Sequence, residues 1–356
     1  MKVTMKKIAD STGYSISTVS RVLNNSSRIS DKAKRAIFDA AQKSGYKTAL
    51  GHFSPQEKQL DNIALVTDFH EGEFYASYFY GFLQAAKNEN VRLSLLNVYD
   101  TKRNAVTFVN QVASEGYFDG IILFIPELNH PEYISILKNL PESYPIISNA
   151  FVNNPKINTI TFDGYSGGNQ AAQHFEELGL QKVGIIRGPH SKAESQFRFN
   201  GFSDYVQFSQ NMELLWSYEG NFEYSSGVDA FNNYKASGIK LDGVFASNDL
   251  MATAFIDSAK QSGYNVPEDI AVLGYDDLPM CVQNAPTISS IKTDFTTLGR
   301  YSLRQLEDKL RGEPGHMGTL SMIPVELIPR NSTLGIADSK QGGGGTQKGK
   351  QNQITV

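Results

Sequence analysis

From Asn62 to about Ala337, short apolar runs alternate with stretches in which apolar residues recur at helical spacing. Apolar runs such as 63–67, 120–125 and 270–274 are typical of strands that are buried on both faces. Parallel strands need a crossover connection between them, and a helix usually supplies it. The alternation therefore predicts parallel sheets that are covered by helices on both faces.

The number of predicted strands exceeds what one such sheet usually holds, so we predict two lobes that are each doubly wound. In open α/β sheets, ligands bind at the carboxyl ends of the strands. A ligand is therefore expected in the cleft between the two lobes.

A different pattern occupies the start of the chain, where two short helical segments flank a break at Gly13. Ser15 stands at the N-cap position of the second segment, where a hydroxyl accepts a hydrogen bond from an unpaired backbone amide. Val19, Val22 and Leu23 recur at helical spacing and predict a buried face. This arrangement is typical of a helix-turn-helix, whose second helix enters the DNA major groove.

The charge of the chain is distributed unevenly. Residues 1–60 hold 11 Lys or Arg and 4 Asp or Glu, a net charge of +7, so the remainder carries −11 of the total of −4. A basic head on an acidic body predicts contact with DNA phosphates at one end only. Cys281 is the single cysteine, which excludes an intrachain disulfide and suits a reducing compartment. With no secretory or membrane-spanning apolar run, we expect a cytoplasmic protein that does not contact the membrane.

Several further segments complete the pattern. In the head they are Ile8-Ala9, Gly13-Tyr14-Ser15, residues 17–24, Arg28-Ile29-Ser30 and Gly45-Tyr46, and in the body Asp163-Gly-Tyr-Ser-Gly-Gly, Arg198-Phe-Asn-Gly-Phe, Ser247-Asn-Asp-Leu-Met-Ala, Leu273-Gly-Tyr-Asp-Asp and Ile288-Ser-Ser-Ile. Together they resemble the LacI/GalR (lactose-repressor) family. The resemblance implies an α/β fold with an N-terminal all-α head. This fold is a three-helix helix-turn-helix domain followed by a two-lobed, periplasmic-binding-protein-like, doubly wound effector domain.

The resemblance also divides the chain. It implies a helix-turn-helix DNA-binding domain at 1–46, a hinge or linker at 47–61 and a two-lobed effector-binding and dimerisation domain at 62–337. The tail, 338–356, contains a four-glycine run and is predicted to be disordered. In the family the chain crosses between the lobes three times, here near Asp163, Lys292 and Met322. The first lobe is therefore expected at about 62–162 and 293–321, and the second at about 163–291 and 322–337.

Three residues at the start of the second helix of the head, Ile16, Ser17 and Arg21, are predicted to face base edges. Ile16 suits a thymine methyl group, and Arg21 suits guanine or phosphate. Other polar residues are predicted to grip phosphates, which gives affinity without sequence choice. They are Lys6, Thr18, Ser20 and Asn24, and the resemblance adds Thr4, Ser15, Arg28 and Tyr46 as DNA contacts.

In the family, the segment after the head is a hinge that becomes helical on the operator and inserts an apolar side chain, usually leucine, into the minor groove. Such insertion kinks the duplex. Alignment without gaps from Tyr46 to Ile63 places Pro55 at this position, as a further DNA contact. The segment departs from the family pattern, because it lacks the proline-asparagine start and the alanine-arginine pair.

Arg198, Asn248 and Asp276 lie just after predicted strands or at helix starts, at the edge where the cleft would open. A guanidinium donates from a planar fork, a carboxylate accepts from paired hydroxyls, and an amide does both. All three match family positions that contact the effector. Their alternative roles are a surface ion pair, a helix N-cap and a turn carboxylate, respectively. The resemblance adds Asp68, Phe74, Tyr75, Asn149, Phe162, Phe222 and Thr293, with Phe162 and Phe222 either stacking on a ring or lying in the core.

This set favours a neutral polyhydroxylated effector, a sugar or sugar derivative. A purine or nucleoside is the alternative, because aromatic faces and an Asn–Asp pair also suit a base. The sequence lacks GxxxxGK(S/T), GxGxxG after a strand and histidines at metal-ligand spacing, so we expect no enzyme, cofactor or metal. We predict a repressor that binds a near-palindromic operator as a homodimer. A sugar-binding protein with weakened DNA binding and a sugar-processing enzyme are the alternatives.

Overall fold

A computed structural model describes the chain over most of both predicted parts. Most of the predicted hinge at 47–61, the whole predicted tail at 338–356 and the predicted DNA contacts Asn24, Arg28, Tyr46 and Pro55 lie outside the described residues. No helix that the structure describes is long and apolar enough to cross a membrane. The described residues are 4–23, 29–30, 32–33, 36–37, 40–41, 44, 60–141, 144–151, 154–311 and 318–334.

The described part of the head contains the helices Met5–Thr12 and Ile16–Leu23. Gly13 ends the first helix with a φ of 73°, a left-handed conformation that glycine adopts without steric cost. Ser15 caps the second helix, because its Oγ accepts a hydrogen bond from Thr18 N at 3.1 Å. The apolar faces of the two helices pack against Ile37 and Ala41, which follow them in the chain. The buried cluster of the head is Ile8, Ala9, Val19, Val22, Leu23, Ile37 and Ala41.

The first lobe is built on a six-stranded parallel sheet with the strand order β11-β5-β4-β3-β1-β2. Side chains alternate between its faces, so Ile63 and Leu65 lie in one buried cluster and Ala64 and Val66 in another. This two-sided burial explains the continuous apolar run at β1. The strands are β1 (Asn62–Thr67), β2 (Arg92–Asn97), β3 (Gly120–Phe124), β4 (Ile146–Ser148), β5 (Thr159–Phe162) and β11 (Leu320–Ile323).

The second lobe repeats this architecture with a six-stranded sheet in the order β12-β10-β9-β8-β6-β7. Its strands are parallel except for β12, which pairs antiparallel with β10. Two buried clusters again cover its two faces. The strands are β6 (Lys182–Arg187), β7 (Glu213–Glu219), β8 (Gly243–Ala246), β9 (Ala271–Asp276), β10 (Ser289–Lys292) and β12 (Glu326–Ile328).

Helices connect the strands and supply the other half of each core. Those of the first lobe are Glu73–Asn88, Thr101–Glu115, His130–Lys138 and Phe295–Leu310, and those of the second are Gly164–Glu177, Ala193–Phe208, Tyr224–Ser237, Asp249–Gln261 and Met280–Gln283. The predicted fold class, an all-α head followed by two doubly wound α/β lobes, is confirmed.

The chain passes between the two sheets three times, after β5, after β10 and after β11. The crossovers begin at Asp163, at Thr293 and beyond Ile323. Each begins at the carboxyl end of a strand, and the predicted cleft residues follow strands at the same edge of the two sheets.

Candidate functional site

The helix Ile16–Leu23 separates its buried and exposed sides cleanly. Val19, Val22 and Leu23 are buried, whereas Ser17 and Arg21 are exposed and half of the Ile16 side chain is accessible. An isoleucine exposed to this extent beside a helix N-terminus is an apolar surface that the described residues of the head leave uncovered. The three residues predicted to face base edges therefore share the outer side of this helix.

Three hydroxyl side chains meet at the start of the same helix. Ser15 Oγ lies 2.8 Å from Ser17 Oγ and 2.8 Å from Thr18 Oγ1. These contacts fix the rotamers of the first turn in addition to the N-cap bond. Thr4 and Lys6 are exposed and Ser20 is half-buried, so the predicted phosphate contacts within the described part of the head lie at or near the surface.

At the cleft edge of the second lobe, Arg198 is held against Tyr275 and Asp276. Its guanidinium carbon lies 3.7 Å from the centroid of the Tyr275 ring, and Nη2 lies 3.4 Å from Asp276 Oδ1. Nη1 donates to the backbone oxygen of Ser247. Burial raises the pKa of Asp276 to about 6, and the charge of Arg198 opposes this rise. The structure thus brings together two of the three side chains that the sequence singled out.

Asn248 completes this edge and also acts as the helix cap that was its alternative role. Its Oδ1 accepts from Met251 N at 2.9 Å, and its Nδ2 donates to the backbone oxygen of Phe222 at 2.8 Å. Phe222 adopts a φ of 71°, an uncommon value for a residue with a side chain. Its ring fills the space beside Gly188, where a Cβ atom would lie 2.1 Å from Phe222 Cζ. Asn248 therefore positions the backbone that presents the Phe222 ring.

The first lobe contributes a half-buried aromatic surface. Phe74 and Tyr75 lie edge to face with ring centroids 5.4 Å apart, and each also contacts Phe124. Burial raises the pKa of Tyr75, and nearby carboxylates raise it further, in the order Glu127, Asp68 and Glu223. Since Glu223 belongs to the second lobe, carboxylates of both lobes surround this phenol, and the cleft near Tyr75 has an acidic character.

Asn149 and Thr293 lie beneath the cleft rather than facing it. Asn149 is 3% exposed, its Oδ1 accepts from the Tyr78 hydroxyl, and its Nδ2 donates to Ile160 O and Ser302 Oγ. Both of its amide protons are therefore donated to protein acceptors. Thr293 is 5% exposed and its Oγ1 donates to Asp276 O at 3.1 Å. Both side chains are therefore bonded within the framework that supports the cleft, and an effector contact from either stays a prediction.

Phe162 lies between the lobes, packed against buried clusters of both. Its ring meets that of Phe295 at 5.7 Å and nearly at a right angle. This placement fits a core residue at a crossover, because Phe162 ends β5 where the chain passes to the second lobe. Stacking on a bound ring, the other role considered for it, stays a prediction.

Several cleft groups were not predicted from the sequence. They are buried polar atoms at or next to the carboxyl ends of strands, without a hydrogen-bond partner among the described residues: Thr67 Oγ1, Arg187 Nε and Ser247 Oγ. Buried polar groups are normally paired, so an unpaired set at a cleft indicates partners that belong to a ligand or water. Their position at strand ends was the available signal.

The two lobes contact each other directly. Phe151 N donates to Glu194 Oε1 at 3.0 Å, and the ring centroids of Phe151 and Phe197 lie 4.7 Å apart. Lys192 and Glu127 form an ion pair between the two lobes. These contacts hold the two lobes close to each other at the cleft.

The residues 164–168 spell GxSxG, a pattern that can mark a nucleophilic serine. Here Ser166 lies in the first turn of the helix Gly164–Glu177, where its amide donates to Asp163 Oδ1 at 2.9 Å. Gln170 Nε2 donates to its hydroxyl at 3.2 Å, and no described contact supplies a histidine. Among the described residues, no three or more His, Cys, Asp or Glu side chains form a group that could hold a metal.

Family models match both parts of the chain. Residues 4–49 match the bacterial regulatory proteins of the lacI family, and residues 172–333 match a periplasmic binding protein-like domain. The first match covers the head and the second covers most of the second lobe.

Three relatives match this chain over most of its length and most of their own. The HTH-type transcriptional repressor PurR of Mannheimia succiniciproducens is 25% identical over 94% of this chain and 99% of its own length. The HTH-type transcriptional regulator CelR of Thermobifida fusca is 27% identical over 87% of this chain and 92% of its own. The ribose operon repressor of Halalkalibacterium halodurans is 24% identical over 95% and 99%.

Two solved structures extend the likeness to three dimensions. A complex of the transcriptional regulator CelR with cellobiose has a TM-score of 0.66 at 26% identity, covering 93% of this chain and 99% of that one. The lac repressor dimer bound to operator and the anti-inducer ONPF has a TM-score of 0.70 at 25% identity, covering 94% and 100%. Head and two-lobed body therefore occur together in proteins of the same architecture.

Proposed function

We propose, on the premise that this chain belongs to the lacI family of bacterial regulatory proteins, that a neutral carbohydrate bound between the lobes sets its operator affinity. The chain is a DNA-binding transcriptional repressor with an effector domain, and not an enzyme. The observation that carries the carbohydrate proposal is the arrangement of Arg198, Asp276 and the unpaired hydroxyl of Ser247 at one edge.

Carbohydrates need many short, directed hydrogen bonds from groups that are already fixed in place. Arg198 is immobilised by its ring contact and by two acceptors, so its remaining N–H groups are preorganised. Unpaired hydroxyls can both donate and accept, which suits a ligand whose own groups do the same. The CelR–cellobiose complex and the ribose operon repressor are relatives whose names point to carbohydrates.

The charges in the cleft argue against an anionic effector, such as a phosphorylated sugar. Arg198 is paired with Asp276, and Arg187 lies 3.6 Å from Glu219 Oε2. Carboxylates of both lobes lie near Tyr75. An added anion would have to compete with carboxylates for both guanidinium groups, which makes a neutral ligand the better match.

A purine or nucleoside is the second candidate. The faces of Tyr75 and Phe222, with Asn248 and Asp276 nearby, could hold a base by stacking and by edge hydrogen bonds. Direct competition between a purine base and sugars separates the two candidates.

The regulation follows from linkage between two sites. In this proposal two heads sit on successive half-sites of a near-palindromic operator in the cytoplasm, with their spacing set by a homodimer of bodies. Ligand that favours one arrangement of lobes by ~2–3 kcal/mol changes operator affinity by roughly 30- to 150-fold, and the operator changes ligand affinity equally.

The test begins with selection of bound duplexes from a random DNA pool, using the full-length protein. We expect enrichment of a palindrome of roughly 14–20 base pairs. The protein is then titrated by calorimetry with cellobiose, ribose and hypoxanthine. Binding of a sugar that is lost in Asp276→Ala, with operator affinity retained, supports the proposal. Binding of hypoxanthine alone would contradict the carbohydrate assignment.

A further inference from the structure

A short segment of the second lobe, residues 276–280, adopts an unusual backbone conformation at the cleft. Asp276 has a φ of 106° and the following Asp277 a φ of 55°, both in the region that favours glycine. Two successive residues with side chains in this region are strained unless their surroundings fix them. Specific contacts must therefore hold this segment in its conformation.

The buried side chain of Asp249 holds it. Leu278 N donates to Asp249 Oδ2 at 2.8 Å, and Ser290 Oγ donates to Asp249 Oδ1 at 2.6 Å. The same Ser290 oxygen accepts from Asp277 N at 3.0 Å. Asp249 is completely buried, and Gly274 leaves the space for it, because a Cβ atom there would lie 2.3 Å from Oδ1. The side chain of Asp249 thus fixes two consecutive backbone amides, one directly and one through the Ser290 hydroxyl.

The other end of the segment reaches the first lobe. Leu278 is 5% exposed and belongs to the first-lobe cluster that contains Tyr78 and Phe295, and Met280 packs against that cluster. Met280 N also donates to Glu73 Oε2 at 2.9 Å, at the start of the helix Glu73–Asn88. The 276–280 segment therefore touches the cleft with Asp276 and the opposite lobe with Leu278 and Met280.

We propose that Asp249 is a positioning residue for the effector response, because it fixes a segment that joins the effector carboxylate Asp276 to an interlobe contact, the bond between Met280 and Glu73. This inference rests on the proposed function. When the ligand contact at Asp276 changes, the resulting displacement would be transmitted to the first lobe through the five residues 276–280, because their backbone is fixed. Asp249 itself is completely buried, and its described hydrogen bonds go to Leu278 N and Ser290 Oγ of the second lobe.

Amide hydrogen exchange of the full-length protein tests this without sugar or operator, so its failure would not be a failure of the proposed function. In Asp249→Ala we expect exchange at residues 276–283 to rise by at least about tenfold. We also expect exchange at residues 74–82 of the first lobe to rise by about threefold, because the Glu73–Met280 contact is loosened. A residue that merely stabilised its own lobe would not affect the second peptide.

The matched control is Asp257→Ala in the same helix, which also removes a side-chain hydrogen bond, that from the exposed Tyr224 hydroxyl at 2.8 Å. It should leave both peptides unchanged. If Asp249→Ala does not fold, Ser290→Ala removes the indirect half of the arrangement and should give the same pattern with smaller increases. A rise confined to residues 276–283, or no rise in either folded variant, would overturn the proposal.

Discussion

The guanidinium of Arg198 stacks on the ring of Tyr275, 3.7 Å from its centroid, while one edge of the guanidinium faces Asp276. Stacking requires the planar, delocalised cation that arginine provides and lysine does not. The ring fixes the plane of the guanidinium, and the carboxylate fixes its rotation within that plane. The direction of the remaining N–H groups is therefore determined before any ligand arrives.

This relationship predicts that Arg198→Lys will be nearly as damaging as Arg198→Ala. Either change should weaken carbohydrate binding by about 10- to 100-fold, since a charged, preorganised set of hydrogen bonds is lost. Isothermal titration with the sugar that binds the wild-type protein measures the effect. Arg304→Lys, at an exposed arginine of the first lobe, is the control. Retention of wild-type affinity by Arg198→Lys would show that charge alone matters.

On the head, Arg21→Ala should abolish specific operator binding. Arg21 is exposed on the helix Ile16–Leu23, which is predicted to enter the major groove. A good hydrogen-bonded contact between an arginine and a base edge discriminates between bases by ~1–3 kcal/mol. Fluorescence anisotropy with the selected operator and with a scrambled duplex gives the specific and non-specific affinities. Arg304→Ala should bind as the wild type does. Near-wild-type operator affinity in Arg21→Ala would count against the predicted docking.

Buried carboxyl groups predict an unusual dependence of stability on pH. Burial, and then the charge of Asp276, raises the pKa of Asp249 from its ordinary value of 3.8 to about 8. Because the folded protein holds this proton more tightly than the unfolded chain does, the stabilisation is complete below about pH 3.8 and is lost as pH rises towards 8. The largest slope for one group is about 1.4 kcal/mol per pH unit.

Asp249→Asn removes this titration without changing the shape of the side chain. Its free energy of unfolding should therefore fall less steeply than that of the wild type between pH 5 and pH 8. Denaturant unfolding at several pH values provides the comparison, with Asp257→Asn as the control that should follow the wild type. Parallel curves for Asp249→Asn and the wild type would mean that Asp249 does not titrate in this range.

The hinge offers a prediction from sequence alone, because Pro55 lies outside the described residues. If Pro55 stands where the family inserts leucine, Pro55→Leu should tighten operator binding by about fivefold, or roughly 1 kcal/mol. The measurement is the affinity of Pro55→Leu and of the wild type for the selected operator. The comparison is their affinity for a duplex that keeps only the outer bases of each half-site. An unchanged affinity would indicate that the segment makes no groove contact.

Local patterns in the sequence determined the head and the class of the body. Periodicity is a property of neighbouring residues, so Val19, Val22 and Leu23 revealed a buried helical face, and the apolar run at β1 revealed a strand covered on both faces. Because parallel strands end at one edge of a sheet, Arg198 and Asp276 could be expected near each other from their places after strands. Edge strand β7, which carries polar residues among its apolar ones, was not predicted.

Only the tertiary structure decided which polar groups face the cleft and which support it. Asn149 bonds to Ser302, 153 positions away, and Met280 bonds to Glu73, 207 positions away. No local pattern records such pairs, since they depend on how two sheets and three crossovers bring distant segments together. The composition of the chain supplied the groups that a ligand needs, and the packing of the two lobes determined whether each is offered to a ligand or used by the protein itself.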